Sequence, residues 1–138
     1  MEKALRGFLL MFILLIIMAE FLFPLIPDGS SEAITVSGTN TVMSVESYLT
    51  KITGANADDK ASLPDGLKVG QLKKVQYVAE SEAGDDVDVT LTSAESTSLD
   101  VIRMTTVGDY FICQWTGSFW KILELGNTTG NMTTPTVG

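Results

Sequence analysis

Residues 7–26 read Gly-Phe-Leu-Leu-Met-Phe-Ile-Leu-Leu-Ile-Ile-Met-Ala-Glu-Phe-Leu-Phe-Pro-Leu-Ile, and Glu20 is the only ionisable side chain among them. A helix rises ~1.5 Å per residue, so a run of this length reaches roughly 30 Å, the thickness of a bilayer's hydrocarbon core. Leu, Ile, Met and Phe occupy every helical face, which argues against an amphipathic helix lying on a surface. The run predicts a membrane anchor over residues 1–27, one transmembrane helix marked out by Gly7, Leu14, Ile17, Glu20 and Ile26. A carboxylate at mid-bilayer is costly, so Glu20, near the end of the span, either reaches the interface or contacts another helix. Pro24 lacks a backbone donor and ends or kinks the helix near Leu22. Residues 28–34 then read as a linker, with Pro27, Asp28 and Gly29 as its turn signal.

Lys3 and Arg6 precede the span, whereas Asp28 and Glu32 follow it. The positive-inside rule leaves the N-terminus cytosolic and the following domain on the lumenal or outer side. The alternative is a cleaved secretory signal, with Lys3 and Arg6 as the basic region and residues 8–19 as the apolar region. Against it, no small-x-small cleavage pattern follows Ala19, and apolar sequence resumes at Phe21. A pilin-type helix is a third reading, since Gly7-Phe8 is similar to a processing site. The fifth position after Gly7, however, is Phe12 rather than Glu.

The sequence beyond Pro27 is a different kind of polymer, rich in Thr, Ser, Gly and Asp, and long enough for one small domain. The whole chain carries 9 Lys and Arg against 17 Asp and Glu, a formal net charge of −8. Neutralising phosphates needs a basic patch, so nucleic acid is not an expected partner. Lys73-Lys74 is the one basic doublet, and a solvated strand edge accounts for it. The single cysteine, Cys113, excludes an internal disulfide framework and reads as a buried small apolar residue. With no histidine in the chain, His-dependent triads and zinc sites are excluded within one copy.

Alternating apolar residues and turn signals predict six or seven short strands. Residues 33–37 and 41–53 are β-prone, the second also compatible with helical spacing. Residues 54–60 form a polar loop, and Leu63-Pro-Asp-Gly66 is a turn with Pro and Gly at their favoured positions. A strand over 67–78 holds Gly70 as a bulge or close approach. In 87–91 Val87, Val89 and Leu91 point inward, and another strand covers 99–104. The clearest hairpin joins 110–115 to 119–125 through Thr116-Gly117-Ser118. Its second strand places Trp120 and Ile122 on one face and Phe119, Lys121, Leu123 and Leu125 on the other. The expected fold is an all-β sandwich or small barrel over residues 35–126, preceded by the one transmembrane helix. Residues 127–138, Thr-rich and without a core-forming pattern, read as an extended tail able to add a strand to a neighbour's sheet edge.

Two stretches carry a resemblance. Asp65-Gly66-x-x-x-Gly70-Gln71-x-Lys73 is followed by an acidic Gly-containing loop and an alternating strand. Gly108-Asp109 then leads through Trp115-x-Gly117-x-x-Trp120. The pattern, over residues 35–125, resembles a small β-domain of virion proteins in tailed phages and large algal viruses. The resemblance implies a structural role in capsid, decoration or fibre proteins. The apolar run departs from the fibre members and shifts the expectation to viruses with an internal membrane. There, a minor capsid protein ties membrane to shell. The expected partners are therefore the lipid bilayer, other capsid proteins and further copies of the chain; the alternative is a secreted or cell-surface binding module.

Asp85, Asp86 and Asp88, with Glu80 and Glu82 nearby, offer oxygen ligands but lack the spacing of a calcium loop. They and Asp58-Asp59 read as solvated acidic loops. Carboxylate pairs occur by chance in so acidic a domain, and catalysis also needs a concave pocket, so no catalytic, metal or cofactor site is expected. Asn127-Thr-Thr and Asn131-Met-Thr satisfy the glycosylation acceptor rule, which makes Asn127 and Asn131 candidate modification sites.

Overall fold

A computed structural model describes residues 1–11, 29–128 and 136–137. Residues 2–11 are helical. Among the described residues no helix is long and apolar enough to cross a membrane. Of the expected anchor positions, Gly7 lies in this helix, whereas Leu14, Ile17, Glu20 and Ile26 lie outside the described residues.

Among the described residues the β-domain contains ten strands: β1 (Ser31–Val36), β2 (Thr41–Val42), β3 (Leu49–Gly54), β4 (Asp59–Leu63), β5 (Leu72–Glu80), β6 (Val87–Leu91), β7 (Val101–Met104), β8 (Asp109–Trp115), β9 (Trp120–Asn127) and β10 (Thr136–Val137). They form two mixed sheets in the orders β1-β3-β5-β8-β9 and β10-β7-β6-β4-β2, a β-sandwich-like fold. From β1 to β6 the chain visits the two sheets alternately. Each circuit lays its strands parallel to those before: β1 on β3 on β5 in one sheet, and β2 on β4 on β6 in the other. Parallel neighbours need a crossover, and here the opposite sheet supplies it in place of a helix. Strands β7, β8 and β9 then close the two sheets with antiparallel pairings.

This winding gives the domain two distinct ends. The turns 37–40, 55–58, 81–86 and 105–108 gather at one of them, the far end. The loops 43–48, 64–71, 92–100 and 116–119 gather at the other, where the chain also enters β1 at Ser31. Leu49 N–H donates to the Ser30 carbonyl at that entry, 3.2 Å.

The core lies between the sheets and includes Val36, Ile52, Leu63, Val75, Tyr77, Val87, Val89, Leu91, Ile102, Met104, Phe111 and Trp120. Val87, Val89 and Leu91 are inward, as the alternation predicts. The expected 41–53 strand is instead split between β2 and β3 by the 43–48 loop, and the 67–78 strand begins only at Leu72. Strand β1 starts inside the stretch expected to be linker. The loop expected over 54–60 ends early, because Asp59, Ala61 and Leu63 alternate inward along β4.

The hairpin forms as predicted, with one correction to its faces. A bulge sets Cys113 opposite Ile122 but Ile112 opposite Glu124, so the phase of β9 shifts at Leu123. Leu123 turns outward, half exposed, and Leu125 joins Ile122 against the core. Thr136 and Val137 pair with Arg103 and Ile102 of β7. The end of the expected free tail thus adds a short strand to its own sheet.

Candidate functional site

The two motifs that carry the resemblance fold onto each other at the near end. Gly66 lies against Trp115, and a Cβ there would stand 2.6 Å from the Trp115 Cβ, so no side chain fits. Trp120 Nε1–H donates to the Pro64 carbonyl, 2.9 Å. The Trp115 and Trp120 rings pack with centroids 5.4 Å apart and planes tilted by 58°. Gly70, at φ 87°, turns the chain into β5 and donates its N–H to the Trp115 carbonyl, 2.8 Å, while Trp115 N–H returns a bond to the Gln71 carbonyl, 2.9 Å. Gln71 Oε1 accepts from Leu67 N–H at 2.7 Å, and its amide nitrogen donates to the Val45 carbonyl. At the far end Asp109 caps its own turn, accepting from Thr105 and Thr106 N–H at 3.0 and 3.1 Å. The motif residues are therefore scaffold. Their spacing aligns two loops and two indoles.

Lys73, the last residue of the first motif, is fully buried. Its Nζ donates to the Ser44 carbonyl at 2.6 Å, the Ser47 carbonyl at 2.8 Å and Ser47 Oγ at 3.1 Å, and pairs with Glu32 Oε1 at 3.3 Å. Glu32 in turn accepts from Thr50 Oγ1 and from Ser44 N–H. Burial works against the Glu32 charge, but the Thr50 hydroxyl, the Ser44 N–H and the Lys73 ammonium outweigh it and hold the carboxyl below its usual range. This cluster ties β1, β3, β5 and the 43–48 loop together. The doublet expected at a solvated edge is thus divided: Lys73 shares the parity of Val75 and Tyr77 and faces in. Lys74 faces out, its Nζ 4.4 Å from the centre of the Tyr110 ring.

The acidic turns of the far end are likewise partly structural. Asp59 is fully buried rather than solvated. Burial disfavours its charge, yet the N–H groups of Ala55, Gly38 and Asn56 hold its pKa below the ordinary value. Asp85 accepts from Glu82 N–H at 3.0 Å, and its carbonyl accepts from the buried Tyr77 hydroxyl at 2.8 Å. Asp88 binds Arg103 through two bonds of 2.7 and 2.8 Å, which lower its pKa. Among the described residues no three Asp, Glu, His or Cys side chains gather so as to hold a metal ion, and no buried side-chain nitrogen or oxygen lacks a partner.

These carboxylates fix the response to acid. Glu32, Asp59 and Asp88 have folded-state pKa values below their ordinary values of 4.5, 3.8 and 3.8. A depressed carboxylate stabilises the fold above its unfolded pKa, and that stability is lost as pH falls through the folded value. The denaturation midpoint is expected to be flat near neutrality and to fall as pH drops below these ordinary values. Urea titrations across that range check it; a midpoint that rises on acidification contradicts it.

The remaining expected sites are placed as follows. Gly7 is exposed in the N-terminal helix. Asn127 closes β9 instead of opening a free tail, and its Nδ2, the atom that glycosylation would modify, donates to Asp109 Oδ1 at 2.8 Å. Asn131 lies outside the described residues. Cys113 is buried, and burial pushes its thiol pKa up, so it is the inert core residue expected. Lys73, Asp59, Asp85 and Asp109 are buried charges that sequence reasoning missed, Asp85 in a loop expected to be solvated, although the alternation of β5 carried the signal for Lys73. Set beside known proteins, the chain matches no family model and no curated protein.

Proposed function

We propose that the protein is a non-enzymatic structural component of a virion, a minor capsid protein. Residues 7–26 anchor it in an internal membrane, and its β-domain faces the capsid shell. The observation that carries this reading is the apolar run with one ionisable residue, joined by four residues to the first strand of a folded β-domain. Two further features support it. The resemblance is to virion β-domains of structural role, and the residues that carry it are used here to hold loops and indoles in place. The protein then works through binding area. Among the described residues β1 and β9 are the outer strands of one sheet and β2 and β10 those of the other, and strand edges are surfaces on which a neighbouring subunit can add a strand.

Alkaline carbonate extraction of the full chain tests the anchor. The protein should stay with the membrane fraction, and Leu14→Arg should release it, since Arg at a helix centre costs ~2.5–3.5 kcal/mol of insertion. Recovery of the unsubstituted chain in the soluble fraction would end this reading. The alternative, a secreted or surface binding module, is favoured by Lys3 and Arg6 ahead of an apolar region of signal-peptide length. A mature N-terminus near Glu20, found by mass spectrometry, would select it.

A further inference from the structure

We propose that the loop tip Leu67-Lys68-Val69 rests in the headgroup layer of the bilayer that residues 7–26 cross, so that the near end of the β-domain is docked on lipid. This inference rests on the anchor reading above and adds the orientation of the domain and a second membrane contact.

The first support is the tether. Only residues 27–30 separate Ile26 from Ser31, and an extended chain reaches at most ~3.6 Å per residue, about 18 Å in all. The chain enters β1 at the near end, while the far end stands a strand's length away. Strand β1, where the tether attaches, has 6 residues at ~3.3 Å each, about 20 Å. The tether therefore keeps the entry to β1 within about 18 Å of the bilayer, and the far end is the more distant one when the strands stand up from the surface.

Exposure follows the same axis. In the described part of the β-domain the exposed large apolar side chains are Val42, Leu67, Val69 and Leu123, at 62, 63, 71 and 50%. Leu67 and Val69 form the tip of the 64–71 loop, and Val42 leads into the neighbouring 43–48 loop. Three of these four side chains therefore sit at the tethered end, where apolar surface gains by leaving water for the bilayer interface.

The tip is also built to hold its shape there. Gln71 Oε1 accepts from both Leu67 and Lys68 N–H, at 2.7 and 3.4 Å, so these backbone donors enter a less polar layer already paired. Val69 packs over Gly117, where an added Cβ would stand 2.9 Å from Val69 Cγ2. Lys68, between the two apolar residues, can lay its stem along them and reach lipid phosphate with its ammonium.

Charge does not separate the two ends. At the far end Asp59, Asp85 and Asp109 are buried, which leaves Asp58, Glu80, Glu82 and Asp86 against Lys60. The near-end loops carry Glu46, Asp65, Glu95 and Asp100 against Lys68, so the contact is chiefly apolar and does not require anionic lipid.

The test uses the full chain reconstituted in phosphatidylcholine vesicles, with an environment-sensitive fluorophore on a single introduced cysteine. Cys113 is buried and stays unlabelled. Leu67→Cys and Val69→Cys place the probe at the tip, and Ser81→Cys, exposed among the acidic turns, places it at the far end. Probes at 67 and 69 should shift to the blue and lose most of their emission to nitroxide carried on lipid headgroups. The probe at 81 should remain water-like and be quenched by aqueous iodide. If all three probes are equally water-like while the protein resists carbonate extraction, the docked tip is wrong and the anchor stands. If carbonate releases the protein, the anchor fails and the docked tip with it. A tip probe that is blue-shifted yet untouched by headgroup nitroxide would mean that another protein covers the tip, which also overturns the proposal.

Discussion

Trp120→Ala should destabilise the β-domain by about 3–5 kcal/mol, the range for removing a large aromatic side chain from a packed core. Trp120 is fully buried and has the largest side chain of those that are. Its removal opens a cavity beside Trp115, deprives the Pro64 carbonyl of its indole donor, and loosens the 64–71 loop from the hairpin. Small domains have about 5–15 kcal/mol in total, so the variant should lie close to its unfolding threshold. Urea denaturation of the detergent-solubilised chain, followed by the fluorescence of the remaining Trp115, measures the loss. Trp120→Phe separates the two causes, because it keeps most of the packing and removes the hydrogen bond to the half-buried Pro64 carbonyl, worth about 0.5–1.5 kcal/mol. A Trp120→Ala chain as stable as its parent would mean that the core is not where the fold places it.

Lys73→Met is the second large expected effect, about 1–3 kcal/mol, the cost of leaving buried hydrogen-bond acceptors unpaired. Glu32 is partly exposed, so water can reach it once its cation is gone. Methionine fills the volume but leaves Glu32 without its cation, and the Ser44 and Ser47 carbonyls lose the Lys73 donor. Glu32 keeps the Thr50 hydroxyl and the Ser44 N–H, so Glu32→Gln combined with Lys73→Met should recover part of the loss. The double-mutant cycle should therefore show coupling between the two sites. Additive effects, or an unaffected single variant, would place Lys73 at the solvated edge that its doublet suggests.

Much of the fold was legible because strand alternation is written in single residues. Val87, Val89 and Leu91 announced their face, and Thr116-Gly117-Ser118 announced the hairpin. Other elements were hidden by residues whose usual meaning is reversed by a local partner. Asp59 looks like a loop residue, yet it opens β4 because three backbone N–H groups surround its carboxylate in the interior. Lys73 looks solvated, yet its parity with Val75 and Tyr77 puts it inside, where carbonyls of the 43–48 loop meet it. The bulge opposite Ile112 and Cys113 has no marker in β9, so the inward turn of Leu125 could not be read from alternation. The winding between sheets was illegible for a different reason. Turn signals fix where a strand ends but not which sheet receives the next one. In the candidate site, the Gly, Gln and Trp spacing was visible, while the mutual packing of the two motifs was set by contacts far apart in sequence.

The alternate visiting of the two sheets also sets an order in which the chain can complete itself. Ser31 pairs with Leu49, Leu49 with Lys74, and Leu72 with Gln114, so each strand of the first sheet waits for a segment one circuit or more downstream. Closing such long loops costs entropy before any pairing repays it, whereas β8 and β9 are separated only by residues 116–119. Of the described strands β1 is the first to be made, and it has no partner until β3 follows. Its edge is uncharged except for Glu32, and through that interval the strand lies open to pairing with other chains. The Glu32–Lys73 contact, which needs β5 in place, then ties β1 to its own domain.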